Sequence, residues 1–127
     1  ANATIPKVNV VIGEAFGSAY LAMNSKHIGA DMVFAYPDAK IGMMNAQSAV
    51  KIMYADEIAA SGNGAAVVAE KAAEYDALQT SPYAAARHGY VDDIIEPAAT
   101  RKRVIAAFEM LADKDEYRGL SKKHGTI

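Results

Sequence analysis

The sequence has 127 residues, 52% of them apolar, which favours a single domain with a substantial core. Its net charge of −2 gives no electrostatic reason to expect binding to nucleic acid or to an anionic membrane surface. The absence of cysteine excludes disulfides, a thiol nucleophile and cysteine-based metal sites. The sequence shows neither a membrane-spanning apolar run nor a secretory signal, so we expect no membrane insertion and a cytoplasmic protein. Because it starts without methionine and enters a strand almost at once, we expect a piece of a longer chain.

The first half of the sequence predicts a repeating order of strands and helices. The run of branched apolar residues at 8–12 is typical of a strand that is covered on both faces. Small residues follow, and then a helix that begins at Ala19 and stops before Gly29. A second buried strand at 32–36 and a short one at 40–42 lead to a second helix at 46–54, for which Asn45 is the expected N-cap.

The second half predicts helices separated by one short strand. After the break at 62–64, a long helix is expected to bury one face, made of Ala65, Val68, Ala72, Tyr75 and Leu78. Ser81 and Pro82 predict the start of a short helix that ends before Gly89, followed by a strand at 91–95. Pro97 is expected to open a final helix with an apolar stripe of Val104, Phe108 and Leu111.

The strongest chemical candidate is the turn of small residues Gly17, Ser18 and Ala19, where a strand runs into a helix. The first N–H groups of a helix have no partner within it, and the positive end of the helix dipole lies behind them. Such a turn can receive a phosphate, a carboxylate or a developing oxyanion. A second helix start near Asn45 and Ala46 has the same potential. Small residues at such a turn are nevertheless more often structural than catalytic.

Side-chain chemistry is less well supported. The three histidines, His27, His88 and His124, are far apart in sequence and have no metal-ligand spacing, so we predict no metal site. Asp92 and Asp93 are adjacent in a predicted strand, so their carboxylates should point to opposite faces. The sequence has no P-loop, no dinucleotide fingerprint and no serine–histidine–aspartate order.

Four motifs resemble one family. They are FGSAYLAMNSKHIGAD at 16–31, YPDAKIGMM at 36–44, ARHGYVDDIIEP at 86–97, and RKR at 101–103 together with SKKHG at 121–125. The sequence is similar to the biotin-dependent acyl-CoA carboxyltransferases: propionyl-CoA and acetyl-CoA carboxylase carboxyltransferase chains and methylmalonyl-CoA decarboxylase α chains. The resemblance covers the whole sequence and corresponds to the C-terminal half of the carboxyltransferase unit.

The resemblance implies an α/β, crotonase/ClpP-like fold of stacked β-β-α units, with a core at 1–112 and a tail at 113–127. It implies that carboxyl groups move between carboxybiotin and a short-chain acyl-CoA of the acetyl, propionyl or methylmalonyl type. The active site would lie against the N-terminal half of another subunit in a trimer or hexamer. Biotin would arrive on a separate carrier protein or domain, and the isolated chain would be inactive or nearly so.

The resemblance also assigns roles to residues. The family's Gly-Gly-Ala turn matches Gly17, Ser18 and Ala19, so the amides of Ser18 and Ala19 are expected to form the biotin-side oxyanion hole. The whole set of expected biotin contacts is Gly17, Ser18, Ala19, Tyr20, Leu21, Met44 and Asn45. The sequence departs from the family pattern at Ser18, Tyr36, Lys40, Asn45 and residues 47–48, which leaves pocket shape and acyl preference open.

Three other functions remain open from the sequence. The chain could be a crotonase-fold assembly module without catalysis of its own, since its turn residues are altered. It could serve in a sodium-pump type acyl-CoA decarboxylase, which uses the same half-reaction in the opposite direction. A complete small acyl-CoA hydratase or hydrolase fits less well, because the chain is short for a full crotonase domain.

Overall fold

The computed structural model describes residues 3–117, in which strands alternate with helices. The strands are β1 (Val8–Val11), β2 (Glu14–Phe16), β3 (Met32–Ala35), β4 (Lys40–Gly42) and β5 (Asp93–Ile94). The helices are α1 (Gly17–Ala22), α2 (Ala46–Met53), α3 (Ala55–Ala60), α4 (Gly64–Gln79), α5 (Pro82–Arg87) and α6 (Thr100–Met110). Two short 3-10 turns, Lys26–Ile28 and Pro97–Ala99, connect some of these elements.

The strands form two parallel sheets, and each of the first two β-β-α repeats contributes one strand to each sheet. One sheet has the order β1-β3-β5, and the other pairs β2 with β4. The first two repeats, β1-β2-α1 and β3-β4-α2, therefore lie side by side with both of their strands in parallel register. This arrangement confirms the predicted α/β class and its β-β-α units.

The core uses both faces of β3. Val33 and Ala35, both fully buried, pack with Tyr20 and Ile41 in the larger cluster. Phe34 points to the other face and packs with Ala107 of α6. Because neighbouring residues of β3 are buried on opposite faces, the strand reads as a continuous apolar run in the sequence.

Three features of the first half differ from the sequence prediction. Strand β1 ends at Val11, and Ile12, expected inside a covered strand, is 66% exposed. A separate strand, β2, occupies Glu14–Phe16, where a turn was expected. Helix α1 consequently begins at Gly17 rather than at Ala19. A three-residue strand is too short to show the alternation of polar and apolar residues by which strands are recognised.

The helices of the second half bury small residues in preference to large ones. In α4 the buried residue is Ala72, whereas Leu78, placed on the expected core face, is 64% exposed. In α6 the buried residue is Ala107, and Phe108 of the expected stripe is 45% exposed. Pro97 opens a 3-10 turn rather than the helix itself. Alanine allows α4 to pack closely against α2 and α6 to pack closely against the sheet, so a search for large apolar residues identifies the wrong buried face.

The chain beyond α6 is held by an ion pair. The Lys114 ammonium lies 2.8 Å from the Asp31 carboxylate and 3.0 Å from that of Glu116. The rest of the predicted tail, including His124, lies outside the described residues. Within residues 3–117, no helix combines the length and apolar character needed to cross a membrane.

Candidate functional site

The two predicted helix starts lie at one edge of the structure. Strands β2 and β4 pair in parallel with Phe16 opposite Gly42, so both strands end at the same edge. Helix α1 begins directly after β2, and α2 begins four residues after β4. The turn at Gly17 and the turn before Asn45 are therefore brought together by a register that no single stretch of sequence reveals. We call the surface formed by residues 17–19 and 43–46 the amide edge.

Gly17 fixes how closely the two turns approach each other. Its φ is +65°, in the left-handed region that favours glycine. A Cβ atom on Gly17 would lie 3.3 Å from the carbonyl oxygen of Met43, a contact tighter than most that side chains make. Glycine at this position thus permits both the turn and the close packing of its neighbour.

The two helix starts of the amide edge differ in their capping. No side chain caps this helix, and Ser18 and Ala19 are exposed at its first turn. The N–H groups of a first turn cannot bond within their own helix. At α2, by contrast, the Asn45 side chain accepts a hydrogen bond of 2.9 Å from the Ser48 N–H, which confirms the predicted N-cap. The α1 turn is therefore the better donor of hydrogen bonds to an incoming oxygen.

The other predicted site residues fall into two groups. Met44, which is 37% exposed, and Asn45, also exposed, lie on the amide edge beside Gly17. Tyr20 and Leu21 instead turn inward from α1, Leu21 half-buried and Tyr20 only 8% exposed. The amide edge is thus solvent-exposed on the side of Met44 and Asn45 and apolar on the side beneath α1.

A cavity of about 130 Å³ lies on that apolar side. Its apolar walls come from α1, from the end of β4 and from α5, and they include Leu21, Ile41, Gly42, Met43, Ala84 and Ala85. Tyr20, His27, His88 and Tyr90 also line the cavity, and we call it the tyrosine pocket.

Sequence reasoning did not find the rings of this pocket as a group. The ring centres of His27 and Tyr90 are 4.4 Å apart, and those of His88 and Tyr90 are 6.0 Å apart. His27 also meets Tyr20 edge-on at 6.5 Å. These residues fall in two of the motifs that resemble the family, at 16–31 and 86–97. The motifs indicate the family, but they do not indicate that these rings contact one another.

The Tyr20 hydroxyl is buried without a hydrogen-bond partner among residues 3–117. Burial raises the pKa of Tyr20, and the charge that Tyr90 would carry raises it further. The group is therefore a neutral phenol at physiological pH. An enclosed hydroxyl of this kind is costly to leave unpaired, by about 1–3 kcal/mol.

An ion pair supports the strand that leads to the amide edge. Lys40 at the start of β4 donates a hydrogen bond to the Asp76 carboxylate of α4, and Thr80 donates another at 2.8 Å. The bond from Lys40 is the main reason why the pKa of Asp76 lies below its ordinary value. Asp76 in turn raises the pKa of Lys40. Lys40 is one of the positions at which the sequence departs from the family pattern, and its positive charge is paired with the Asp76 carboxylate.

The paired aspartates have separate structural contacts. Asp92 accepts hydrogen bonds from the Lys26 ammonium at 2.7 Å and from the Val33 N–H at 2.8 Å. Asp93 lies 3.6 Å from the Arg103 guanidinium. The two carboxylates therefore do not form an acid–base pair. Nor do residues 3–117 bring together three histidine or acidic side chains that could hold a metal ion.

The geometry of the amide edge suits a ligand that carries a partly negative oxygen. Two exposed first-turn amides can donate to such an oxygen, and the glycine beside them leaves the approach open. The residues thus fit the ureido oxygen of biotin, and the nearby charges of Lys40 and Asp76 are paired with each other. Among the described residues, charge stabilisation is the chemistry for which this edge is equipped.

Comparison with known proteins identifies the family of this chain. The family model for the carboxyl transferase domain matches residues 1–127. A putative propionyl-CoA carboxylase beta chain of Bacillus subtilis is 51% identical over all 127 residues, which cover 25% of that protein. The methylmalonyl-CoA carboxyltransferase 12S subunit of Propionibacterium freudenreichii is 44% identical over all 127 residues, 24% of its length. The chain thus spans about a quarter of the length of these relatives.

The solved structures show the same relationship. A crystal structure of transcarboxylase 12S, with methylmalonyl-coenzyme A and methylmalonic acid bound, superimposes with a TM-score of 0.89 at 44% identity. The match covers 98% of this chain and 24% of that one. The predicted crotonase-like fold is thereby confirmed, as is the predicted relationship. This chain belongs to the carboxyl transferase domain family.

Proposed function

We propose that this chain is the biotin-side half of an acyl-CoA carboxyltransferase. The observation that carries the proposal is the amide edge, in which the exposed first turn of α1 lies beside the start of α2. Membership in the carboxyl transferase domain family suggests the reaction. The amide edge offers hydrogen-bond donors that can stabilise the negative charge which this reaction develops on an oxygen atom. The proposed substrate is a short-chain acyl-CoA of the acetyl, propionyl or methylmalonyl type.

In this proposal the amides of Ser18 and Ala19 bind the ureido oxygen of biotin. They stabilise negative charge that develops on this oxygen, and a donor of this kind typically contributes about 100- to 1000-fold to a rate. In the same proposal, Gly17, Met44 and Asn45 contact biotin from the amide edge, whereas Tyr20 and Leu21 support the site from the apolar side beneath α1. Biotin, when bound, supplies the transferable carboxyl group.

The rest of the enzyme has to come from other chains or segments. We propose that an N-terminal carboxyltransferase half faces the amide edge and that a biotin carrier protein or domain delivers the cofactor. The related 12S protein forms a hexamer, which supports a proposal that this chain also works in a trimer or hexamer. Location in the cytoplasm remains a prediction.

The other functions are less well supported. Neither an assembly module without catalysis nor a decarboxylase subunit is favoured by a specific feature of the site. A hydratase or hydrolase would need a paired acid and base, which Asp92 and Asp93 do not provide.

The test is the removal of one amide donor. Ala19 is the third residue of α1, and its N–H makes no bond within the helix, so a proline there removes the donor without removing a helical hydrogen bond. We expect Ala19→Pro to abolish binding of biocytin in calorimetric titration. In a complete carboxyltransferase containing this chain, the variant should lower carboxyl transfer by about 100-fold or more.

The matched control is Ala19→Ser, which changes the side chain but retains the amide. It should bind biocytin and transfer carboxyl groups at close to the parent level. Circular dichroism should show both variants to be folded. Full activity of a folded Ala19→Pro variant would contradict the assignment of the oxyanion hole.

A further inference from the structure

Helix α4 presents a stripe of three residues to the elements on both sides of the turn between β4 and α2. Ala72, Asp76 and the C-cap residue Thr80 are spaced four residues apart, so they lie on one face of the helix. Ala72 packs in one cluster with Ala46, the first residue of α2. The turn itself, residues 43–45, belongs to the amide edge. The stripe therefore contacts the structure that carries one half of that edge.

Asp76 and Thr80 attach the stripe to β4. Lys40 donates a hydrogen bond to the Asp76 carboxylate, and the Ile41 N–H donates one of 2.9 Å to the main-chain oxygen of Thr80. The Thr80 hydroxyl, in a residue that is 1% exposed, donates to the Asp76 carboxylate at 2.8 Å and to its main-chain oxygen at 3.0 Å. A surface cavity of about 300 Å³ joins this network to the amide edge, because Lys40, Asp76 and Asn45 all line it.

The residues that follow β4 meet the first turn of α1. Gly42 lies opposite Phe16 in the parallel register of β4 and β2. The next residue, Met43, places its carbonyl oxygen 3.3 Å from the position that a Cβ atom of Gly17 would occupy. Met43 is only two residues beyond the part of β4 that α4 holds. A displacement of β4 would therefore be transmitted through the main chain to the α1 turn.

We propose that Lys40 and Asp76 are positioning residues for the amide edge. Their ion pair fixes β4 against α4 and so sets how closely the Met43 carbonyl approaches the first turn of α1. This inference rests on the proposed function, because the donors placed in this way are the amides of Ser18 and Ala19. Misplacement of a reacting group by 1 Å can lower a rate by about 100-fold. Both residues act through the main chain and not by touching the ligand.

Charge exchange tests this role. Asp76→Lys sets two ammonium groups against each other, and Lys40→Glu sets two carboxylates against each other. The double variant Lys40→Glu/Asp76→Lys restores an ion pair of opposite polarity. In the isotope-labelled 127-residue chain, we expect the amide NMR signals of Ser18, Ala19 and Met43 to shift in each single variant and to return towards the parent positions in the double variant. A dispersed spectrum shows that each variant is folded.

The matched control is Glu74→Lys, which also reverses a carboxylate in an ion pair of α4. Glu74 lies 3.6 Å from Lys71, and its side chain is 59% exposed and lines a different cavity. This control should leave the signals of the amide edge at their parent positions. Should a single charge reversal prevent folding, Lys40→Met takes its place, since it removes the charge and keeps a long apolar stem. It should shift the same signals by a smaller amount.

Kinetics in a complete carboxyltransferase containing this chain separate positioning from stability. The amide edge is proposed to hold biotin, so the KM for acyl-CoA should stay within about twofold of the parent, whereas kcat should fall by about tenfold in each single variant. The double variant should recover most of this loss. A variant that is merely less stable would show the parent's kcat once the rate is corrected for the folded fraction, and that result would contradict the positioning role.

The failures of the two proposals can be distinguished. Amide-edge signals that keep their parent positions in folded single variants would overturn the positioning role. So would a folded double variant whose signals are no closer to the parent than those of the single variants. Neither result depends on biotin binding or on Ala19→Pro, which test the proposed function. An amide edge that follows the ion pair, in a chain that neither binds biocytin nor supports carboxyl transfer, would refute the proposed function alone.

Discussion

Gly17 shows how much of the amide edge depends on one missing side chain. Its positive φ and the nearby Met43 carbonyl both disfavour a Cβ atom at this position. The small-residue turn was predictable from sequence, because glycine, serine and alanine follow a strand there. The close approach to Met43 was not predictable, since it depends on the pairing of β2 with β4.

We expect Gly17→Ala to lower the free energy of unfolding by about 1–2 kcal/mol, from left-handed backbone strain together with the tight contact. Urea denaturation measures the change. Gly13→Ala is the control, because a Cβ at Gly13 meets nothing within 4 Å and should change stability by less than about 0.5 kcal/mol. Equal stability of the two variants would show that the turn adapts to a side chain.

The ion pair of Lys40 and Asp76 joins two elements, β4 and α4, next to the amide edge. Hydrogen bonds from Lys40 and Thr80 hold the pKa of Asp76 below its ordinary value of 3.8. A carboxylate with a lowered folded pKa stabilises the protein above the unfolded pKa. This stabilisation is lost as the pH falls through the folded value.

We therefore expect Asp76→Asn to be less stable than the parent at pH 7 and to approach the parent's stability as the pH falls below the ordinary pKa of 3.8 and through the lowered folded value. Urea midpoints measured across this range check the sign. Asp38→Asn, at an exposed turn residue, is the control for the loss of one carboxylate and should keep the parent's urea midpoint at pH 7. A constant difference between Asp76→Asn and the parent would mean that the lost contact is not ionic.

Element types were more predictable than element faces. The N-caps Asn45 and Ser81 follow from local chemistry, and the structure confirms both through hydrogen bonds to backbone N–H groups. Strand β2 and the buried side of α4 were missed, because three residues carry no period and because alanine is buried where leucine was expected. The rings of the tyrosine pocket come from distant segments, so local patterns could not bring them together.

At the scale of the whole molecule, large apolar side chains remain in contact with water. Ile12, Met23 and Met43 are 66%, 75% and 70% exposed. Ile12 and Met23 line one shared surface groove of about 330 Å³. Contiguous exposed apolar surface of this kind is typical of protein–protein contacts.

We expect the chain to self-associate, because association would remove these side chains from water. Sedimentation velocity at several concentrations measures it, and Met23→Glu should shift the distribution towards monomer. Ile52→Glu is the control, since Ile52 is equally exposed (68%) but does not line that groove. A parent chain that stays monomeric at high concentration would contradict the expectation.

The parallel register of β2 and β4 also has a consequence for how this site tolerates mutation. Because the proposed donors are main-chain N–H groups positioned by strand pairing, a substitution at position 18 changes the side chain beside the site but leaves these N–H groups in place. A side chain at position 17, by contrast, would be strained by the positive φ and by the Met43 carbonyl. Random mutagenesis should therefore recover many active sequences at position 18 and almost exclusively glycine at position 17.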